Sequence, residues 1–147
     1  MFDSLAPFFL LVLLFLGLVI IWRVNARKYI SSGTVASAYD SWTQDKLLER
    51  LWGEHIHLGF YPEFKKNVDF RKAKVQFVHE LVKWSGLYKL PKGSRILDVG
   101  CGIGGSSRIL AKYYGFNVTG ITISPAQVKR ARELTPSGLN CNFQVMD

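Results

Sequence analysis

The chain is 147 residues long with a formal net charge of +8, and 48% of its residues are hydrophobic, which leaves room for about one domain. The basic residues are scattered, and the densest group (Arg71, Lys72, Lys74) falls in a segment that also carries an apolar face, so nucleic acid is not the expected partner. Cys101 and Cys141 have neither metal-ligand spacing nor a disulfide framework and read as reduced thiols.

Residues 5–22 are an unbroken apolar run, which as a helix would reach about 27 Å, close to the hydrocarbon thickness of a bilayer. No basic segment precedes it, and bulky Ile20, Ile21 and Trp22 stand where a signal peptide would be cleaved. The expectation is an uncleaved, single-pass membrane anchor over residues 1–29. Asp3 lies before the run, and Arg23, Arg27 and Lys28 after it, so the body of the chain is expected on the cytoplasmic side. Trp22 and Tyr29 suit the interfacial zone. A polar linker and a helical cover segment follow over residues 30–90: a helix at 35–51, an aromatic and histidine-rich loop at 52–62, and a helix at 69–85. Asp69 is placed to cap that last helix and Gly86 to end it. Phe70, Ala73, Phe77, Leu81 and Trp84 recur on it at helical spacing and are expected to form its core face.

From residue 91 the pattern changes to alternation: strand 95–99, helix 106–114, strand 117–121, helix 125–134 and strand 142–146. The fold class is α/β, with parallel strands and helical crossovers, as in the first half of a doubly wound sheet. Such a sheet normally has further strands beyond its switch point, so the chain is expected to be an N-terminal fragment that is inactive by itself.

The first strand leads into Leu97-Asp98-Val99-Gly100-Cys101-Gly102-Ile103-Gly104-Gly105. Gly100, Gly102 and Gly104 allow a tight turn and close backbone approach to a ligand, and the following helix points its free N–H groups back at that turn. Gly100, Gly102 and Gly105 also satisfy the dinucleotide fingerprint. Asp98, just before the glycines, would repel a pyrophosphate, and the second strand ends Gly120-Ile121-Thr122 without the acid that reads a ribose. A carboxylate there suits a cationic or amine-bearing ligand instead.

Strand, acid, glycine turn and helix together resemble the first motif of S-adenosylmethionine-dependent methyltransferases. Trp52-Gly53-Glu54-His55-Ile56-His57-Leu58-Gly59 and Gly120-Ile121-Thr122-Ile123-Ser124-Pro125 narrow the likeness to the methyltransferases of the tocopherol and plastoquinone pathway. The cyanobacterial quinol methyltransferases are most similar, with γ-tocopherol methyltransferases and the cyclopropane-fatty-acid synthase group as further relatives. That resemblance implies S-adenosyl-L-methionine as cofactor. Asp98 would meet its amino acid end, Gly100, Gly102 and Gly104 would form the backbone cradle, and Thr122 and Gln127 would contact the adenosyl part. Asp147 would bind the adenine amino group, or is a simple strand-end residue, and Tyr39 with Asp40 resembles a motif that closes over the cofactor.

His55 and His57 are candidates for substrate contact or proton relay, or are ordinary loop histidines; with no third ligand in view, no metal site is expected. His79 reads as structural, and Cys101 as contributing backbone alone. The implied activity is methyl transfer to a prenylated benzoquinol at a plasma or thylakoid membrane. The alternatives are methylation of a tocopherol or other lipid, and a non-catalytic, membrane-anchored cofactor-binding module.

Overall fold

The computed structural model describes residues 6–25, 31–62 and 68–147. The chain divides into two compact units, Met1–Ser31 and Ser32–Asp147. In the first, α1 (Ala6–Asn25) runs for 20 residues. Leucine-rich sequence favours the helix, and Pro7 stands in its first turn, where a missing N–H costs little. Its large apolar side chains from Phe8 to Trp22 are exposed. Among the described residues no helix is long and apolar enough to cross a membrane, so the expected single-pass anchor gains no support from the fold. Asp3, Leu5, Arg27, Lys28, Tyr29 and Ile30 lie outside the described residues.

In the second unit, the helix expected over residues 35–51 is two helices, α2 (Ser32–Gln44) and α3 (Leu47–Trp52). The break falls at Lys46, whose backbone is left-handed at φ 53°. A side chain in that conformation costs roughly 1–2 kcal/mol. Lys46→Gly is therefore expected to raise stability by about 0.5–1 kcal/mol in urea denaturation, after allowing for glycine's greater unfolded-state freedom. A loss of stability would mean that the lysine side chain contributes more than its backbone strain.

After the irregular segment 53–62, α4 (Phe70–Ser85) begins at Asp69, whose carboxylate accepts from the backbone N–H of Arg71 at 2.8 Å, and the helix ends at left-handed Gly86. Its buried side is not the expected one. Ala73 is buried, but Phe70 is 39%, Leu81 44% and Trp84 86% exposed. The buried stripe is Ala73, Lys74, Val78 and Val82. The reason lies in the packing: Val78 and Val82 meet Ile109, Leu110, Phe116 and Val118, which draws the helix round onto that face.

A short 3₁₀ turn (Leu87–Lys89) leads to β1 (Arg95–Val99), α5 (Gly105–Tyr114), β2 (Asn117–Thr122), α6 (Pro125–Leu134) and β3 (Cys141–Val145). The strands pair in parallel in the order β1-β2-β3, with Asp98 beside Gly120 and Gly120 beside Phe143. Each crossover runs to the next strand over, and the right-handed connection usual for such units puts α5 and α6 on one face of the sheet. Two apolar clusters lie beneath them. Ile109, Leu110, Phe116 and Val118 join α4 to α5 and β2, while Cys101, Val128, Ala131 and Phe143 join α6 to β3; Cys141 packs against both. On the other face Leu97 and Val99 are 60% and 72% exposed.

Candidate functional site

All three strands run the same way, so their C-terminal ends open together, the usual ligand position in an open α/β sheet. A cleft of about 660 Å³ lies there. Its walls include Tyr39, His55, His57, Gly100, Gly102, Thr122, Gln127 and Asp147, eight of the residues expected from the sequence. Asp98 and Gly104, also expected, are not on that wall.

The turn after β1 is held by its own backbone: Gly100 and Cys101 both donate to the Ile121 carbonyl at 2.9 and 3.0 Å, and Gly104 donates to Cys101 at 2.9 Å. Glycine is required at 104, because the backbone is left-handed (φ 80°) and a Cβ would come within 2.6 Å of the Phe143 ring. Asp98 stands two residues before the first glycine of the turn, near the end of β1. Its Oδ2 accepts from Ser107 Oγ of α5 at 2.6 Å, and Ser107 is fully buried. Burial pushes the Asp98 carboxyl above its ordinary value, against the opposing effects of the Ser107 bond and the nearby charge of His57. Burial also pushes the Cys101 thiol up to about 12, so it is no nucleophile at neutral pH.

At the end of β2, Thr122 Oγ1 donates to Gln127 Oε1 at 2.7 Å, and both residues are buried. Ser124 caps α6 by accepting from Gln127 N–H at 3.1 Å. Asp40 joins that cap. Its Oδ1 accepts from Ser124 Oγ and, at 3.0 Å, from Ala126 N–H, which fastens α2 to the start of α6 and sets Tyr39 against the cleft. Arg130 of α6 grips Glu49 of α3 with two bonds of 2.9 and 2.7 Å, which holds the Glu49 carboxyl below its ordinary value.

The segment carrying His55 and His57 is pinned by three cations. Arg71 donates to the Arg50 carbonyl at 2.9 Å, and Lys74 to those of Trp52 and His55 at 3.0 and 2.7 Å. Arg108 donates to Ile103 of the glycine turn at 2.7 Å and pairs with Glu54. The loop approaches so closely that a Cβ at Gly105 would lie 2.8 Å from His55 Cε1. His57 Nδ1 bonds the Leu58 carbonyl at 2.8 Å, and its Nε2 lies 3.1 Å from His55 Nδ1.

Desolvation, with the charges of His57, Arg108 and Lys74, lowers His55 from 6.5 to about 4 and outweighs the opposing pull of Glu54. The unfolded chain then binds a proton that the folded chain refuses, so stability falls as pH drops from 6.5 toward 4. Thermal melts across that range are expected to show the loss, and His55→Gln to lessen it.

Lys74, Arg108 and Glu54 were not among the site residues expected from the sequence. One signal was available for Lys74: it stands four and eight residues before Val78 and Val82, on the buried stripe itself. His79, by contrast, bonds Tyr114 Oη at 2.7 Å and has a structural role. Among the described residues no group of three or more His, Cys, Asp or Glu is placed to hold a metal.

Residues 96–147 match the family described as a methyltransferase domain. Over 86% of its length the chain is 59% identical to the 2-methyl-6-phytyl-1,4-hydroquinone methyltransferase of Synechocystis. Residues 96–147 thus carry a methyltransferase domain. The chain spans 40% of that relative. It is also 38% identical to the chloroplastic tocopherol O-methyltransferase of Arabidopsis thaliana, over 69% of this chain and 32% of the other. The magnesium protoporphyrin IX methyltransferase of Synechocystis, crystallised with SAH, has the same fold: TM-score 0.56 and 26% identity, over 79% of this chain and 51% of that one. The Rossmann-like methyltransferase fold expected from the glycine turn is thus present, and the dinucleotide alternative is set aside.

Proposed function

We propose that this chain binds S-adenosyl-L-methionine in the cleft at the strand ends, and that the whole protein methylates a prenylated benzoquinol. The observation that carries the reading is the convergence on that cleft of the glycine turn, the Thr122–Gln127 pair and Asp147. When bound, the cofactor would supply a methyl group already activated on a sulfonium. The donor set fits it. Asp98 is off the cleft wall but adjoins the cleft residue Val99 in the chain, from where it would offer an ammonium group a carboxylate oxygen that Ser107 does not use. The turn at Gly100, Gly102 and Gly104 offers backbone to the amino acid end, Thr122 and Gln127 face the adenosyl part, and Asp147 accepts from the adenine amino group. Tyr39 covers the opening, and the 59% identity to a quinol methyltransferase supports the acceptor class.

Titration calorimetry of the chain with SAH tests the first half, and absence of binding would end the reading. A labelled-methyl assay of the whole protein on a prenylated benzoquinol tests the second. Methyl on a ring carbon supports the quinol reading. Methyl on a tocopherol or another lipid would replace it, and SAH binding without any transfer would favour a non-catalytic binding module.

The membrane is part of the proposal. The apolar side chains of α1 are exposed all round, and such a helix is covered by lipid or by other protein. Flotation with anionic vesicles is expected for the chain and to be lost without residues 1–29. Equal flotation of both would remove α1 from the account.

A further inference from the structure

Two hydrogen bonds fix where the protons of the histidine pair sit. A backbone carbonyl can only accept, so the 2.8 Å contact to Leu58 places a proton on His57 Nδ1. In a neutral ring, His57 Nε2 is then an acceptor, and the 3.1 Å contact requires a proton on His55 Nδ1. That leaves His55 Nε2 as the free lone pair of the pair. Among the described residues it has no protein partner, and no buried side-chain nitrogen or oxygen lacks one, so this atom is open to solvent. Both rings line the cleft.

Resting on the methyltransferase reading above, we propose that His55 and His57 form a two-ring proton acceptor for an acidic hydroxyl on the aromatic methyl acceptor. The hydroxyl O–H bond breaks and leaves its electron pair on oxygen, while a new N–H bond forms at His55 Nε2. The proton on His55 Nδ1 passes to His57 Nε2. One proton enters, one shifts, and the charge ends on His57. Removing the hydroxyl proton enriches the ring carbons beside it, which is what attack by a ring carbon needs.

The surrounding charges favour this direction of travel. Glu54, Arg108 of α5 and Lys74 of α4 face His55, and the two cations oppose a positive charge there. Asp98 of β1 is close enough to His57 for their charges to attract. Phe77 packs against the His57 ring at 5.3 Å between centroids and restrains it. Desolvation opposes a lasting positive charge on His55 but leaves its Nε2 lone pair free, and the relay answers this by moving the charge on to His57.

The test uses the full chain and needs no turnover. Long-range proton–nitrogen NMR near neutral pH is expected to show both rings protonated at Nδ1; protonation of neutral His55 at Nε2 would overturn the proposal. The second readout is 4-nitrophenol, whose phenolate absorbs visibly, added at about pH 6. Wild type is expected to bind it partly as phenolate. In His55→Gln the phenolate band should be at least about tenfold smaller, and in His57→Gln intermediate. An undiminished band in His55→Gln overturns the relay, as does wild type that binds only the phenol form or does not bind at all. SAH calorimetry on the same samples separates the two failures. Intact SAH binding confines the failure to the histidine pair, and absent SAH binding in wild type removes the methyltransferase reading itself.

Discussion

Asp98→Asn is expected to weaken SAH binding by about 10- to 100-fold while raising the melting temperature at neutral pH. The affinity loss follows from the proposed site, in which the Asp98 carboxylate would face the ammonium group of the ligand and a neutral amide would not match its charge. A hydrogen bond to a charged group contributes about 1.5–3 kcal/mol, and each 1.4 kcal/mol is tenfold in affinity. The gain in stability follows from burial. Desolvation raises the folded-state pKa of Asp98 despite its bond from Ser107. A group shifted that way contributes stability below its unfolded pKa, and that contribution is lost as pH rises through the folded value. At neutral pH the ionised side chain is therefore a net cost. Asparagine removes the cost, and its amide oxygen can still accept from Ser107. The advantage should disappear as pH falls below the ordinary carboxylate range, where aspartate is neutral in both states. Calorimetry and thermal melts on the two proteins check both parts. A lower neutral-pH melting temperature for the variant would show that local bonds outweigh desolvation at this site.

The parallel sheet was legible from the sequence because local signals agreed there: Ser124-Pro125 opens α6, Gly115 ends α5, and the apolar runs have strand length. The cleft was legible for a related reason. A strand that ends in Asp98 and glycines must put those residues at one edge of a parallel sheet, where Thr122 and Asp147 also end. The cover segment was harder to read. Its register depends on ties between residues far apart in the chain, such as Glu49 to Arg130, Asp40 to Ser124 and Arg108 to Glu54. A helical wheel of α4 offers two apolar stripes, and only contact with α5 and β2 selects Val78 and Val82 over Leu81 and Trp84. The break at Lys46 could not be read either, because a left-handed lysine runs against local preference.

That same face of α4 carries the second large effect, since Lys74→Met is expected to cost about 2–4 kcal/mol of stability and to loosen residues 54–58. Methionine can fill the volume of the lysine stem, so little of the loss comes from a cavity. It comes from the ammonium group, which donates at 3.0 Å to Trp52 O and at 2.7 Å to His55 O and lies 4.9 Å from the centroid of the Trp52 ring. Two bonds from a charged donor contribute about 1.5–3 kcal/mol each. Against them stands the desolvation of Lys74, which is only 4% exposed and whose pKa burial lowers. The bonds should win, because in the variant both carbonyls keep their desolvation cost or the loop must open to rehydrate them. Against a typical total of about 5–15 kcal/mol, either outcome is large. Lys74→Arg keeps the charge and should recover part of the loss. Urea denaturation gives the stability, and amide hydrogen exchange at residues 54–58 gives the local consequence. A methionine variant as stable as wild type, with unchanged exchange at those residues, would show that desolvation cancels the bonds and that the histidine segment is held from elsewhere.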